Sequence, residues 1–280
     1  MTHTISIDKS QIQSAIEILQ QYNSFYKEFD YFVQFKINGV NINIYNSGSI
    51  VFQGKIIPDD LFGLIKLINS DDFIGIGIDE SGKGDVFGGI VVVASFVKKE
   101  YYQILKKNLI VDSKRLNDKK IIDIYNNISN LVDFEMANLM PYEFNTLYEK
   151  YNNINILLAD LFYQVGSKLS NKTGEKKIIC DQFSQNKTLL AQKFQHYDLI
   201  QEHYADRIYK PVSISSIIAR YFFLEQLNRL KKKYPNTKFL KGANFSKQIL
   251  LDFIKNYGEE ELINVSKINF KTVKSIIYVS

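Results

Sequence analysis

Two apolar runs joined by a glycine-rich turn lie in the middle of the chain and constrain its fold most strongly. The first run is FIGIGID, residues 73–79, and the second is VFGGIVVVASFV, residues 86–97. Short apolar runs rich in β-branched residues predict strands that are buried in a sheet, and a turn of this length makes the two strands antiparallel neighbours. The chain must therefore build a sheet around this hairpin, with helices packed on it.

Apolar residues continue at helical or strand spacing downstream of the hairpin. They predict, in chain order, a strand (131–140), a helix (145–169), two strands (176–183 and 197–206) and two helices (213–234 and 246–258). With the hairpin, this makes five strands, some antiparallel and some separated by helices. The pattern therefore predicts an α/β fold, with a mixed five-stranded sheet flanked by helices.

The first 70 residues have a different pattern. They predict, in chain order, a helix (8–23), a three-stranded antiparallel meander (31–37, 40–45 and 49–54) and a second, short helix (58–68). The polar residues that follow the second helix mark a boundary. We therefore expect two domains, a small α+β domain at 1–70 and the α/β domain at 71–280.

The composition limits the setting in which the protein works. Cys180 is the one cysteine of the 280 residues, which excludes an intrachain disulfide and a cysteine-based zinc cluster. No apolar run has the roughly 18–20 residues that a membrane span requires, and the N-terminus does not resemble a signal peptide. We therefore expect a cytoplasmic protein with no membrane partner.

Basic charge is concentrated towards the C-terminal end of the chain. The net charge is +5, but residues 207–280 hold fourteen Lys or Arg against five acids. A segment with this excess is typical of a protein that binds a polyanion. Charge alone leaves a second interpretation open, in which a Lys-rich surface serves only solubility.

The turn of the hairpin has the spacing G-x-x-x-x-G-K, from Gly77 to Lys83, which is close to that of a nucleotide-binding phosphate loop. Such a loop needs a Ser or Thr after the lysine to hold Mg²⁺, and here that residue is Gly84. It also needs a helix that begins there, whereas a strand is predicted. Two acids, Asp79 and Glu80, would moreover lie inside the phosphate cradle. The sequence therefore argues against nucleotide binding.

Carboxylates follow three of the predicted strands. Asp79 and Glu80 end the first strand, and Asp181 and Asp206 end two of the later ones. Strand ends bring side chains from distant parts of a sequence into one crevice, where four carboxylates would repel each other without cations. Oxygen ligands select Mg²⁺ or Mn²⁺, and two such ions promote hydrolysis of a phosphodiester. Taken singly, Asp181 or Asp206 is more simply explained as a surface acid or a helix cap.

Five segments around these acids resemble bacterial ribonuclease HIII, of the type 2 ribonuclease H family. They are GIDESGKGDVFGGIVVVA (77–94), VDSKRL (111–116), CDQF (180–183), YADRIYKPVSISSIIARYFFL (204–224) and LKGANFSK (240–247). A sixth segment, FKINGVNINIYNSGSIVFQG (35–54), resembles the TBP-like substrate-binding domain of that family. The resemblance implies a ribonuclease H-like fold for residues 71–280 and a TBP-like fold for residues 1–70.

The resemblance also implies a function. It implies a metal-dependent endoribonuclease that hydrolyses the RNA strand of an RNA–DNA hybrid and leaves 5′-phosphate and 3′-hydroxyl ends. The implied cofactor is Mg²⁺ or Mn²⁺, the implied partner is the hybrid duplex, and we expect a monomer. Carried over by position, the catalytic and metal-binding residues are Asp79, Glu80, Asp181 and Asp206. The substrate-binding residues carried over in the same way are Ser81, Gly82, Lys83, Gly84, Ser113 and Lys114.

The chain departs from the family pattern near the fourth acid. The family often has Glu there, within Lys-Ala-Glu, where this chain has Tyr204-Ala205-Asp206. Two alternatives to the implied function also stay open. One is cleavage at single ribonucleotides, as in ribonuclease HII, against which stand the N-terminal domain and Lys83, where that enzyme usually has Arg. The other is a noncatalytic nucleic-acid-binding protein on the same scaffold, against which stands the presence of all four acids.

Overall fold

The computed structural model describes residues 2–7, 9–20, 25–56, 74–101, 116–242 and 246–277. Contacts along the chain divide it into two compact units, Met1–Phe73 with Arg207–Lys210, and Ile74–Asp206 with Pro211–Ser280. The boundary predicted near residue 70 and the helix predicted at 58–68 lie outside the described residues.

The smaller unit is built on a five-stranded antiparallel sheet. Its strands are β1 (Thr2–Ser6), β2 (Phe25–Glu28), β3 (Phe32–Ile37), β4 (Val40–Tyr45) and β5 (Ser49–Gln53), in the spatial order β1-β5-β4-β3-β2. The three predicted strands are confirmed as β3, β4 and β5. The edge strands β1 and β2 were not predicted, because β1 is almost wholly exposed and β2 has only four residues, so that neither shows an alternating apolar pattern.

The turn between β3 and β4 sets the register of this sheet. Asn38 and Gly39 have positive φ angles of 49° and 80°, the geometry of a two-residue hairpin turn whose twist matches that of the strands. The resulting pairing places Phe35 opposite Ile42, and both side chains are fully buried. Helix α1 (Ile12–Gln20) contributes to the same core.

The larger unit contains the predicted mixed sheet. Its strands are β6 (Ile76–Ser81), β7 (Ile90–Phe96), β8 (Asp133–Leu139), β9 (Lys177–Asp181) and β10 (Asp198–Glu202), in the order β10-β9-β6-β7-β8. Strands β6, β7 and β8 are antiparallel neighbours, whereas β9 runs parallel to both β6 and β10. The predicted hairpin is confirmed as β6 and β7, but β7 begins at Ile90 rather than at Val86. Residues 82–89 join the two strands, and we call them the glycine-rich loop.

Helices cover both faces of this sheet. In the described residues that follow β7 they are α2 (Asp118–Ile128), α3 (Pro141–Tyr151), α4 (Ile154–Thr173), α5 (Thr188–Ala191), α6 (Ala205–Ile208), α7 (Lys210–Lys233), α8 (Ser246–Tyr257), α9 (Leu262–Val265) and α10 (Lys271–Ile277). Alternate residues of β7 contact opposite layers. Val91 and Val93 pack in the core that contains α7, and Ile90 and Val92 pack in the core that contains α4. Burial of both faces explains why this strand is an unbroken apolar run in the sequence.

The single helix predicted at 145–169 is wrong, because the structure has two helices there. Helix α3 ends at Tyr151 and α4 begins at Ile154, since Asn152 between them adopts a left-handed conformation with a φ of 47°. The side chain of Asn153 then accepts hydrogen bonds from backbone N–H groups in the first turn of α4. Asparagine tolerates the left-handed conformation and is a favoured helix cap. The break therefore lies at two polar residues, and the spacing of apolar residues does not reveal it.

The helices predicted at 213–234 and 246–258 are confirmed as α7 and α8. Helix α7 begins earlier, at Lys210, with Pro211 in its first turn, where a proline leaves no intrahelical hydrogen bond unmade. Helix α8 ends just before Gly258, which has a φ of 92° and so forms the expected left-handed C-terminal cap. Among the helices of the described ranges, none is long and apolar enough to cross a bilayer.

Candidate active site

Asp79 and Asp181 occupy matching positions on the neighbouring strands β6 and β9. The two strands run in parallel with Ile78 opposite Cys180, so that the two aspartates are the next residues on each strand. The backbone N–H of Glu80 donates to Asp79 Oδ1 at 2.8 Å, which helps to orient that carboxylate. The parallel pairing therefore brings the first and third predicted acids to the same edge of the sheet.

Asp206 approaches these acids from a helix, and the prediction that it ends a strand is wrong. Strand β10 ends at Glu202, and Asp206 lies in the first turn of the short helix α6. Tyr204 between them has a φ of 59°, a conformation in which the chain turns sharply and cannot continue as a strand. The backbone N–H of Ala205 donates to Asp181 Oδ1 at 3.0 Å, which ties this turn to the end of β9.

Burial and neighbouring charges raise the pKa of the Asp79 carboxyl well above its ordinary value. Removal from water is the largest cause, since Asp79 is only 5% exposed, and the charges of Glu80, Asp206 and Asp181 act in the same direction. A hydrogen bond from the Ser216 hydroxyl acts the other way. The structure therefore brings the four predicted acids close enough to interact, and a proton or a cation among them is favoured.

The donor atoms of this group suit a hard divalent cation. All four side chains offer carboxylate oxygens, which bind Mg²⁺ or Mn²⁺ in preference to zinc. The adjacent Cys180 does not change this preference, because burial raises the pKa of its thiol well above the ordinary value and keeps it protonated. Within the described residues, no three His, Cys, Asp or Glu side chains are arranged to enclose an ion as they stand. To bind an ion, the carboxylates would have to move closer together, and the positive charge of the ion would offset their mutual repulsion.

Ser81 follows the acids at the end of β6 and is half-buried, and the glycine-rich loop begins directly after it. Gly82 has a φ of 97°, and a Cβ atom there would lie 2.6 Å from the Gly89 carbonyl oxygen and 2.7 Å from the Phe223 ring. Gly84, in contrast, is exposed, and a Cβ atom there would meet nothing within 4 Å. Glycine is therefore required at position 82 by the fold, whereas the bare backbone at position 84 is open to close approach from outside.

The side chain of Lys83 extends towards the end of β9. Its Nζ donates to the Phe183 carbonyl oxygen at 2.8 Å and lies 5.4 Å from the centre of the Phe183 ring. A positive charge is therefore placed two residues beyond Asp181, at the edge of the sheet where the acids gather. Ser113 and Lys114, which were predicted to hold a phosphate, lie outside the described residues.

Lys267 also contacts the glycine-rich loop, and the sequence did not predict this. Its side chain is fully buried, and its Nζ donates to the carbonyl oxygens of Asp85 at 2.7 Å and Gly88 at 2.9 Å. Burial lowers the pKa of the ammonium to about 7, although the charge of Asp85 acts the other way. A single lysine among polar and apolar residues normally lies at the surface, so no local signal identifies this one.

The lowered pKa of Lys267 predicts that stability depends on pH. Between its pKa of about 7 and the ordinary value of 10.5, the folded state holds a neutral amine while the unfolded state holds a charged one. The free energy of unfolding therefore rises with pH through this range, and the gain is lost as the pH falls through about 7. We expect the wild type to gain about 2 kcal/mol more than Lys267→Met between about pH 7 and pH 9, measured by urea unfolding without divalent cations. Equal gains in the two proteins would contradict a buried, shifted lysine.

Comparison with known proteins identifies the family. A family model described as ribonuclease HII matches residues 76–273. Ribonuclease HIII of Phytoplasma mali is 33% identical over 247 residues, which cover 85% of this chain and 84% of the relative. This chain belongs to the ribonuclease HIII family. Ribonuclease HIII of Lactococcus lactis is similar to the same extent, with 30% identity over 256 residues that cover 88% of this chain and 87% of the relative.

Solved structures of ribonuclease HIII have the same fold. Bst-RNase HIII, solved in complex with Mn²⁺, superimposes with a TM-score of 0.70 at 23% identity and covers 100% of this chain and 99% of that one. Aquifex aeolicus RNase H3 gives a TM-score of 0.62 at 25% identity and covers 96% of this chain and 100% of that one. The predicted family and fold class are therefore confirmed, with a ribonuclease H-like mixed sheet and an antiparallel N-terminal sheet.

Proposed function

We propose that this member of the ribonuclease HIII family is an endonuclease that hydrolyses the RNA strand of RNA–DNA hybrids and leaves 5′-phosphate and 3′-hydroxyl ends. The observation that carries the proposal is the buried Asp79 carboxyl, whose pKa is raised by burial and by the charges of Glu80, Asp206 and Asp181. Four acids in such proximity form a site for divalent cations. The glycine-rich loop begins beside them and presents an exposed backbone to a substrate.

The residues that would hold Mg²⁺ or Mn²⁺ are Asp79, Glu80, Asp181 and Asp206. When bound, such ions activate water and stabilise the leaving oxygen of a phosphodiester. Because the pKa of the Asp79 carboxyl is raised, a cation has to compete with a proton there, and cation affinity falls as the pH falls. The Ser216 hydroxyl bonds the Asp79 carboxylate and favours its charged form. The fold thus keeps Asp79 out of bulk water and oriented for a ligand.

The glycine-rich loop supplies the contacts that select RNA. Ser81, Gly82, Lys83 and Gly84 follow the acids directly, so a strand bound at the acids passes over them. Backbone N–H groups of the loop donate to 2′-hydroxyl oxygens, which only an RNA strand offers. The Lys83 ammonium donates to a phosphate in place of the Phe183 carbonyl that it contacts in the structure. Ser113 and Lys114 are proposed to hold a neighbouring phosphate.

Cleavage of labelled duplexes by the wild type with Mg²⁺ or Mn²⁺ tests this proposal. We expect rapid cutting within a run of ribonucleotides paired with DNA, weak cutting at a single ribonucleotide embedded in DNA, and no cutting of a DNA duplex. Ligation of the products tests for 5′-phosphate ends. Faster cutting at the single ribonucleotide would favour a ribonuclease HII-like specificity, and binding without cutting would favour the noncatalytic alternative.

We also propose that residues 1–70 form a TBP-like substrate-binding domain and that residues 71–280 form the catalytic domain. The polar face of the N-terminal sheet supports a binding role. Lys36 is exposed and lies opposite Asn41 on the paired strands. Next to them, Gln34 Nε2 donates to Asn43 Oδ1 at 2.8 Å, which holds both amides in place. Donors and a positive charge fixed on a sheet are suited to the phosphates of a duplex.

Neutralising Lys36 in the full chain should weaken hybrid binding. For Lys36→Gln we expect a dissociation constant several-fold higher than that of the wild type, and a slope of log affinity against log salt that is smaller by about 1. Fluorescence anisotropy with a labelled hybrid, in EDTA to prevent cleavage, measures both. Lys55→Gln is the matched control, because Lys55 is an exposed lysine of the same unit that follows β5. The binding role is refuted if both variants keep the affinity and salt slope of the wild type.

We further propose that the protein works as a monomer in the cytoplasm. The one cysteine, Cys180, is buried and free, which agrees with a reducing compartment and offers no disulfide between chains. Light scattering after size exclusion, with and without a hybrid duplex, measures the number of chains in each complex. A dimer at micromolar concentration would contradict the proposed monomer.

A further inference from the structure

Lys267 is a buried lysine whose Nζ is held by backbone carbonyls and lies among aromatic rings. Its Nζ donates to the carbonyl oxygens of Asp85 and Gly88 at 2.7 and 2.9 Å. The same atom lies 5.6, 5.9 and 5.8 Å from the ring centres of Phe144, Phe223 and Phe270 respectively. A polar group in such a place is costly to bury unless its hydrogen bonds are made, so the Lys267 Nζ and the two carbonyls depend on each other.

The two carbonyls belong to the glycine-rich loop. The bond to Gly88 is buried and the bond to Asp85 is partly buried. Without the lysine both carbonyls would lose a hydrogen-bond partner, and a carbonyl that is shielded from water and has no partner is destabilising. The loop would relieve this by turning its backbone towards water, which would rotate its peptide groups. Lys267 therefore holds two carbonyls of the loop in their inward orientation.

Backbone pairing reinforces this arrangement at the same segment. The Lys267 N–H donates to the Val86 carbonyl at 2.9 Å, and the Gly88 N–H donates to the Val265 carbonyl at 3.0 Å. On the other side of the loop, the Asp85 carboxylate accepts a hydrogen bond from the Gly242 N–H. These bonds fix the position of the loop, and Lys267 Nζ adds side-chain hydrogen bonds that orient two of its carbonyls.

We infer that Lys267 is a positioning residue for RNA recognition: by binding the carbonyls of Asp85 and Gly88, it holds the glycine-rich loop so that Gly82, Lys83 and Gly84 face the RNA strand. The inference rests on the proposed function, in which this loop reads the 2′-hydroxyls. Lys267 itself contacts no substrate atom in this arrangement and acts only through the loop.

Lys267→Met tests the inference, because methionine keeps nearly the length of lysine but has no donor. Two measurements are made well below the melting temperature. The first is amide hydrogen exchange of peptides that cover residues 82–89. The second is the preference for an RNA–DNA hybrid over a DNA duplex of the same sequence, from dissociation constants in EDTA. We expect faster exchange of the loop and a loss of preference of about tenfold, since the contacts that a moved loop would lose are hydrogen bonds.

Two further variants separate positioning from general destabilisation. Leu169→Ala is the control, because Leu169 is fully buried in α4, in the core on the other face of the sheet. It should lower the melting temperature without changing loop exchange or hybrid preference. Lys267→Gln keeps two N–H donors on a shorter side chain. Compared with Lys267→Met, it should therefore restore part of the slow exchange of the loop and part of the hybrid preference. If Lys267→Met does not fold, Lys267→Gln is compared with the wild type in its place.

The outcomes distinguish this inference from the proposed function. If the wild type prefers the hybrid and Lys267→Met keeps both that preference and the exchange rates of the loop, the positioning role is refuted while the function stands. If the wild type shows no preference for the hybrid, the proposed function fails, and loop exchange alone then decides whether Lys267 holds the loop. A loss of preference in Leu169→Ala equal to that in Lys267→Met would also overturn the inference.

Discussion

Asp79→Asn should abolish cleavage of an RNA–DNA hybrid and at the same time raise the melting temperature of the metal-free protein. We expect the cleavage rate to fall by about 10³-fold or more, because asparagine keeps the shape of the side chain but removes the charge that attracts the cations. Single-turnover cleavage with excess enzyme measures the rate. If the variant cleaves the hybrid as fast as the wild type does, the assignment of Asp79 to the catalytic site is contradicted.

The gain in stability follows from the raised pKa of the Asp79 carboxyl. The folded state binds this proton more tightly than the unfolded state does, so Asp79 stabilises the fold below the ordinary aspartate pKa, and this contribution is lost as the pH rises through the raised value. At neutral pH the buried charge is therefore unfavourable, and its removal should raise the melting temperature by about 2–4 °C. Asp123→Asn, at an exposed acid on α2, is the control and should change neither property.

Divalent cations should reverse this order of stability. A ligand that binds only the folded state stabilises it by about 2.7 kcal/mol at a concentration one hundred times its dissociation constant. Mg²⁺ or Mn²⁺ should therefore raise the melting temperature of the wild type and leave that of Asp79→Asn almost unchanged. Differential scanning fluorimetry over a cation titration measures this without any substrate, and equal shifts in both proteins would mean that the cation binds elsewhere.

Gly77→Ala should strongly destabilise the protein, because there is no room for a methyl group at this position. A Cβ atom at Gly77 would lie 2.2 Å from the backbone carbon of Pro211 and 2.2 Å from the backbone nitrogen of Val212. Neither is the mobile end of a side chain, so β6 and α7 would have to move apart. We expect a loss of about 3 kcal/mol or more, which lowers the melting temperature by roughly 6–12 °C.

The same substitution should also impair the site, because β6 carries Asp79 two residues further on. The hydroxyl of Ser215 in α7 lies 2.8 Å from the Gly77 carbonyl oxygen, so separation of the two elements would break this contact as well. Gly84→Ala is the matched control for stability, since a Cβ atom at Gly84 would meet nothing within 4 Å. If thermal unfolding of Gly77→Ala coincides with that of Gly84→Ala, the close packing of β6 on α7 is wrong.

Local patterns were enough to predict much of this fold. The β6–β7 hairpin was predictable because three consecutive valines and a short turn leave few alternatives to a buried antiparallel pair. The placement of Asp79 and Asp181 was predictable because each directly follows a buried strand. Asp206 was placed wrongly, since its position depends on the left-handed conformation of Tyr204, a residue type that rarely adopts it. The break at Asn152 was missed for a similar reason, because it lies in backbone angles rather than in apolar spacing.

The burial and the hydrogen-bond partners of Lys267 could not be predicted from local sequence patterns. Its partners Asp85 and Gly88 are 182 and 179 positions away in the chain, and two of the phenylalanine rings near its Nζ, those of Phe144 and Phe223, also come from distant segments. The periodicity of apolar side chains predicts which face of a helix or strand is buried. It does not predict whether a single lysine between two such elements is buried. The family resemblance named the acids and the loop, and the structure was needed to find the residue that holds the loop.

The distance in sequence between Lys267 and the loop has a consequence for synthesis of the protein. Lys267 and Asp85 are separated by 182 positions, so a ribosome that makes about 5–20 residues per second has released the loop at least several seconds before the lysine emerges. All four acids precede Lys267 in the chain, so they have been made before it emerges. A translation product that stops before Lys267 would therefore carry the acids without a secured loop, and full RNA recognition would appear only after Lys267 has been made.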